Sequence, residues 1–130
     1  MAQALIAAEF PGIQVNSAGT GALVGKKADA IAEGLMASRG IDIAAHRAQQ
    51  IDRRLCQQAD LILTMDRELR RSVEMHFPFA TGKVYRLCES SKVDIEDPYQ
   101  KSREMFVHVL SQIDIGVHFW TERIKRIQNL

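Results

Sequence analysis

A run of apolar residues in the middle of the chain constrains the fold more than any other feature. Residues 59–65 read Ala-Asp-Leu-Ile-Leu-Thr-Met, which is the pattern of a strand that helices bury on both faces of a parallel sheet. Asp66 follows directly and can cap the next helix, which ends before Pro78. Residues 83–87 are a second strand candidate.

Helical periodicity accounts for much of the remaining chain. Apolar residues at helical spacing predict a helix near residues 28–36 that stops at Gly40, and a final helix whose stripe runs from Phe106 to Ile127. Residues 51–58 suit a short helix, whereas residues 13–16 alternate as a short strand should. Strands that alternate with helices predict an α/β fold built on a parallel sheet with right-handed crossovers.

The composition bounds the class of protein. One domain over residues 1–130 is expected at this length. Seventeen basic and sixteen acidic side chains leave a net charge of +1, so nothing favours nucleic acid or an anionic membrane as a partner. Two cysteines make no disulfide framework, the opening apolar stretch is a poor signal peptide, and no run is long enough to span a bilayer. We therefore expect a protein of the reducing cytoplasm that does not insert into membranes.

The sequence indicates neither a cofactor nor a metal. His108 and His118 lie ten residues apart on one predicted helix and do not share a face, which argues against a metal site. The glycines at positions 19 and 21 begin a dinucleotide fingerprint, but its third glycine is replaced by Val24 and no helix begins there. We expect the protein to work without a cofactor.

Two short motifs and the opening segment carry a resemblance to a known family. Residues 16–20 read Asn-Ser-Ala-Gly-Thr, residues 97–99 read Asp-Pro-Tyr, and residues 1–10 look like a first helix. In these features the chain resembles the low-molecular-weight protein-tyrosine-phosphatase family, most closely its bacterial members, over nearly its whole length. The resemblance implies a three-layer, flavodoxin-like α/β fold, a parallel sheet with helices on both faces. That family's first strand and the Cys-x5-Arg-Ser-Pro loop after it would precede Met1, so both are expected to be missing here.

The resemblance assigns roles to five side chains. Asp97 would be the general acid, Tyr99 and Leu23 would form walls of the substrate pocket, and Ser17 and His46 would support the phosphate-binding loop. Taken without the resemblance, each has a plainer interpretation. An Asp-Pro pair is a common turn initiator, and Leu23, Tyr99 and His46 could be ordinary packing residues.

The reaction that the resemblance implies is hydrolysis of phosphotyrosine through a cysteinyl-phosphate. It needs a thiolate nucleophile, an arginine that holds the phosphate oxygens and an acid that protonates the leaving phenolate. Only the acid has a candidate, because Ile62 stands six residues after Cys56 and Asp94 stands six residues after Cys88. We therefore expect the chain as given to be inactive.

Partners and rival functions follow from the same resemblance. The implied substrate is a phosphotyrosine protein, in bacteria commonly a tyrosine kinase of polysaccharide export. Strands left without a neighbour would favour self-association through unpaired sheet edges. Two alternatives stay open: a non-catalytic relative that binds phosphoproteins, and an arsenate reductase, which the cysteine spacing disfavours.

Overall fold

Helices make up most of the computed structural model, which describes residues 1–129. In chain order the elements are α1 (Ala2–Glu9), α2 (Ala30–Ala37), α3 (Arg53–Gln58), β1 (Ile62–Thr64), α4 (Arg67–His76), a 3-10 turn (Pro78–Ala80), β2 (Val84–Arg86) and α5 (Arg103–Gln128). The predicted helices and the two later strands are confirmed, although both strands are shorter than predicted. No helix within the described residues is long and apolar enough to cross a membrane.

Side-chain caps determine where four of the helices begin. In each case an aspartate or serine oxygen accepts a hydrogen bond from a backbone N–H in the first turn, which satisfies a donor that the helix itself cannot pair. The capping residues are Asp29, Asp52, Asp66 and Ser102. The prediction that Asp66 caps the helix after the first strand is thereby confirmed, with its Oδ1 2.7 Å from the Leu69 nitrogen.

The two strands form a parallel pair. Ile62 pairs with Val84 and Leu63 with Tyr85, and α4 supplies the crossover that a parallel connection requires. Side chains alternate across the pair. Ile62 and Val84 pack in the cluster that contains Val73 of α4, whereas Leu63 and Tyr85 pack against the α1 and α5 cluster. Helices therefore cover both faces of the sheet, and the three-layer α/β architecture is confirmed.

The larger part of the core lies between the sheet and α5. The buried residues of this cluster are Leu87, Cys88, Ile95, Val109, Ile113, Val117 and Trp120. The Trp120 indole N–H donates to the Leu87 carbonyl oxygen at 2.8 Å, so the one polar atom of this large side chain is satisfied where it is buried. The apolar stripe predicted for the last helix is thus the face that closes the domain.

The strand predicted at residues 13–16 is wrong. These residues form no strand, and only Val15 is partly buried. An isolated strand has no stability without backbone partners, and none of the described residues runs alongside this segment as a second strand. The Val15 carbonyl oxygen accepts a hydrogen bond from a side chain of α1, Gln3 Nε2, at 3.0 Å. Ser17 therefore follows a segment without strand pairing instead of ending a strand.

Candidate active site

The loop that leads into α5 presents the predicted acid to solvent. The carboxylate of Asp97 is exposed, and its Oδ1 accepts the Tyr99 backbone N–H at 3.0 Å. The Lys101 N–H donates to the Pro98 carbonyl oxygen at 2.8 Å, which closes the next turn, and the Ser102 cap follows at once. One carboxylate oxygen is therefore held by the turn, while the other makes no hydrogen bond within residues 1–129.

The predicted pocket walls lie on two loops that touch. Tyr99 is 41% exposed and Leu23 is 60% exposed. Lys26 joins the two loops, since its Nζ lies 4.4 Å from the centroid of the Tyr99 ring and donates to the Tyr99 hydroxyl. The Lys26 backbone N–H donates to the Leu23 carbonyl oxygen at 3.0 Å. The segment that carries Leu23 therefore lies next to the loop of residues 97–101 (the acid loop), because the Lys26 cation contacts the Tyr99 ring.

Ser17 contacts the beginning of α1. Its hydroxyl donates to Gln3 Oε1 at 2.6 Å, and its carbonyl oxygen accepts from Gln49 Nε2 at 2.8 Å. Gln3 lies in the first turn of α1, the end of a helix that favours phosphate because its N–H groups are unpaired. The position of Ser17 suits support of that helix end, and this role stays a prediction.

His46 lies on the segment that pairs with the loop after Ser17. Short backbone hydrogen bonds pair the two segments, from the Gly19 N–H to the Gln49 carbonyl oxygen at 2.9 Å and from the Gly25 N–H to the Ala48 carbonyl oxygen at 2.8 Å. The imidazole is half-buried and makes no hydrogen bond to any residue that the structure describes. Support by His46 therefore stays a prediction.

Three contacts of this region were not predicted from the sequence. They are made by Gln3, Lys26 and Gln49, which meet Ser17 and Tyr99 over separations of 14, 73 and 32 residues. Periodicity and capping signals are local, so nothing in the single sequence marks these partners.

The two cysteines do not suit nucleophilic chemistry. Burial raises the pKa of the Cys56 thiol, with the nearby Lys83 opposing the change only in part. Burial likewise raises the pKa of the Cys88 thiol, whose Sγ donates to the Gln112 carbonyl oxygen at 3.2 Å. A reactive cysteine needs a lowered pKa and access to substrate. Among the described residues, moreover, no group of three His, Cys, Asp or Glu side chains could hold a metal ion.

Comparisons with known proteins identify the family of this chain. The family model described as low molecular weight phosphotyrosine protein phosphatase matches residues 1–129. A probable low molecular weight protein-tyrosine-phosphatase, EpsP of Ralstonia nicotianae, is 46% identical over 127 residues, which make up 98% of this chain and 88% of EpsP. The low molecular weight protein-tyrosine-phosphatase Wzb of Escherichia coli (strain K12) is 40% identical over 129 residues, with 98% of this chain and 87% of Wzb covered.

A solved structure shows the same fold. Vibrio vulnificus Wzb in complex with benzylphosphonate superposes with a TM-score of 0.87 at 32% identity, over 94% of this chain and 87% of that one. The family match, the identity to these bacterial relatives and the shared three-layer fold confirm the resemblance that the two motifs indicated. The chain belongs to the low molecular weight phosphotyrosine protein phosphatase family.

Proposed function

We propose that this chain provides the acid and the pocket walls of a phosphotyrosine hydrolase, with Asp97 as the general acid. The observation that carries the proposal is the acid loop itself. One oxygen of the Asp97 carboxyl is fixed by the Tyr99 N–H at 3.0 Å, and the other is free to face a substrate. A positioned carboxylic acid of this kind can protonate a leaving phenolate as the P–O bond breaks.

The neighbouring side chains suit an aromatic substrate. Tyr99 and Leu23 are exposed apolar surfaces on loops that Lys26 holds together, and a phosphotyrosine ring between two such walls would gain stacking and dispersion contacts. The Vibrio vulnificus relative binds benzylphosphonate, an aromatic phosphonate, which supports the same substrate class here. We infer that the substrate is a phosphotyrosine-bearing protein of the cytoplasm, and that in bacteria a tyrosine kinase of polysaccharide export is the natural candidate.

The nucleophile is the part of the reaction that the given sequence does not provide. No cysteine in it is followed six residues later by arginine, so neither the covalent step nor the arginine clamp has a residue to perform it. We propose that hydrolysis runs through a cysteinyl-phosphate when a Cys-x5-Arg-Ser-Pro loop stands before α1, and that the 130-residue chain alone does not turn over.

The substrate class is tested with a protein in which a strand and a Cys-x5-Arg-Ser-Pro loop are placed before Met1. We expect this extended protein to hydrolyse a phosphotyrosine peptide and to leave the matching phosphoserine peptide intact, because phosphoserine has no ring to lie between Tyr99 and Leu23. Phosphate release from the two peptides is the measurement. Equal rates for both peptides would contradict an aromatic pocket.

Each rival function has its own observable. A non-catalytic relative would bind the phosphotyrosine peptide in calorimetry, and its extended form would still release no phosphate. An arsenate reductase would oxidise a thiol donor in the presence of arsenate. Both cysteines of this chain are buried, which leaves no accessible thiol for the second reaction.

We further propose that the chain self-associates, because the sheet of the described residues has two strands, each with one open edge. An open edge exposes N–H and C=O groups that can pair with another copy. Sedimentation velocity at micromolar concentration is expected to show dimers or larger species whose proportion rises with concentration. A compact monomer with strongly protected amides at Leu61 and Leu63 would contradict this expectation.

A further inference from the structure

A buried arginine behind the acid loop has no part in the chemistry described so far. Arg86 ends β2 and is only 5% exposed. Its Nη1 lies 2.9 Å from Asp94 Oδ1, and its Nη2 lies 3.0 Å from Glu89 Oε2. One guanidinium therefore joins two carboxylates that lie on the connection between β2 and the acid loop.

Additional contacts fix the two carboxylates from the side of α4. The Arg67 backbone N–H, at the start of α4, donates to Asp94 Oδ1 at 3.0 Å. Arg70 Nη1 lies 2.6 Å from Glu89 Oε1. The hydrogen bond from Arg86 lowers the pKa of the Asp94 carboxyl, with the Arg67 N–H contributing in the same direction. Asp94 is thus held as a carboxylate by donors on two different elements.

This ion network ends close to the acid along the chain. Asp94 precedes Asp97 by three residues, and Ile95 between them is only 2% exposed. The Ile95 N–H donates to the Met65 carbonyl oxygen at 2.9 Å. Between these two anchored residues and Asp97 stands only Glu96, so the anchor lies one residue from the acid along the chain.

A purely stabilising role explains the network poorly. Of the three side chains only that of Arg86 is deeply buried, because those of Glu89 and Asp94 are 26% and 55% exposed, and ion pairs that reach solvent in this way contribute little to stability. What a guanidinium adds is geometry, since its planar fork holds two carboxylates in fixed directions. In this chain the two carboxylates held by the fork stand before Asp97, on the connection that leads to it.

We propose that Arg86 is a positioning residue, which through Asp94 and Glu89 holds the acid loop where Asp97 can donate its proton. The inference rests on the function proposed above for Asp97. It predicts that loss of the fork loosens the loop locally and impairs the proton donation more than the other steps.

Hydrogen exchange on the 130-residue chain is the first test. We expect Arg86→Met to speed exchange of the three hydrogen-bonded amides of the loop, those of Ile95, Tyr99 and Lys101, by about tenfold or more, with the amides of α5 much less affected, because the loop then opens locally. The Tyr99 amide reports on Asp97 directly, because it is bonded to that carboxylate. Arg39→Met is the matched control, since Arg39 forms a bidentate pair with Asp114 away from the loop. Unchanged exchange in the loop would overturn the inference.

Turnover by the extended protein is the second test. We expect Arg86→Met to slow phenyl phosphate by about tenfold to a hundredfold and p-nitrophenyl phosphate much less, since the better leaving group needs the proton less. In an extended protein that already carries Asp97→Asn, adding Arg86→Met should leave the ratio of the phenyl phosphate rate to the p-nitrophenyl phosphate rate unaltered. Equal slowing of both substrates by Arg86→Met in the otherwise unaltered extended protein would overturn the inference.

The tests distinguish a failure of the positioning role of Arg86 from a failure of the function proposed for Asp97. An extended protein that is inactive even with Arg86 in place would overturn the proposed function, and the exchange measurement would then decide on positioning alone. If Arg86→Met does not fold, Arg86→Lys keeps the charge but loses the fork and should show the same local loosening. An Arg86→Lys loop that exchanges as slowly as the original would contradict the role of the fork.

Discussion

The 130-residue chain is expected to hydrolyse p-nitrophenyl phosphate no faster than buffer does. No cysteine among residues 1–130 is followed by an arginine six residues later, so the proposed acceptor of the phosphoryl group and the proposed clamp on the transition-state charge both lack a residue there. Loss of cooperating catalytic groups lowers turnover by several orders of magnitude, and about 10³-fold is a conservative bound. Release of p-nitrophenolate by mass-verified protein is the measurement.

Addition of a strand and a Cys-x5-Arg-Ser-Pro loop before Met1 should raise the rate of p-nitrophenyl phosphate hydrolysis by about 10³-fold or more. The matched control carries serine in place of the added cysteine, which keeps the loop but removes the nucleophile, and it should be as inactive as the original chain. Turnover by the unextended chain that Asp97→Asn abolishes would contradict this expectation, because it would require a nucleophile among residues 1–130.

Gly116→Ala is expected to destabilise the fold by about 1–3 kcal/mol, the range for an overpacked core. A Cβ at this position of α5 would lie 2.6 Å from Leu87 Cγ, 2.9 Å from the Leu87 carbonyl oxygen and 3.1 Å from Cys88 Sγ. The clash with a backbone oxygen cannot be relieved by a rotamer change, so α5 must move away from the chain segment that follows β2.

Gly34→Ala provides the matched control for this substitution. Gly34 lies inside α2, and a Cβ there would meet nothing within 4 Å. Replacement of an unstrained helix glycine stabilises by about 0.5–1 kcal/mol. Urea unfolding of both variants should therefore give shifts of opposite sign. A Gly116→Ala protein as stable as the original would show that α5 does not pack as closely on Leu87 as the structure indicates.

Much of the architecture could be predicted because its signals are local. The apolar run before Asp66 and the stripe of the last helix each have a period that the sequence displays directly. The alternation at residues 13–16 gives an equally local signal, yet no strand forms there. A strand depends on a neighbour that may lie anywhere in the chain, and the alternation carries no information about that neighbour.

The candidate site could likewise be predicted only where its residues are neighbours in the sequence. The loop proposed to carry the acid could be selected from the sequence because the Asp-Pro-Tyr residues are consecutive. The contact between Lys26 and Tyr99 and the fork of Arg86 on Asp94 could not be predicted from one sequence. Each depends on how separate segments meet once the core has formed, and a lysine or arginine looks the same in the sequence whether it is solvated or engaged.

The leaving-group dependence of Asp97→Asn in the extended protein tests the central claim most directly. A general acid typically contributes about 10²–10⁴-fold, and most of it is needed when the leaving phenolate is poor. We predict that Asp97→Asn slows phenyl phosphate by about a hundredfold or more and p-nitrophenyl phosphate far less. Asp60→Asn is the matched control. Asp60 is an exposed carboxylate with no ion pair in residues 1–129, so its replacement should change neither rate. Equal slowing of the two substrates by Asp97→Asn would contradict the account, because Asp97 would then be a turn residue and not the acid.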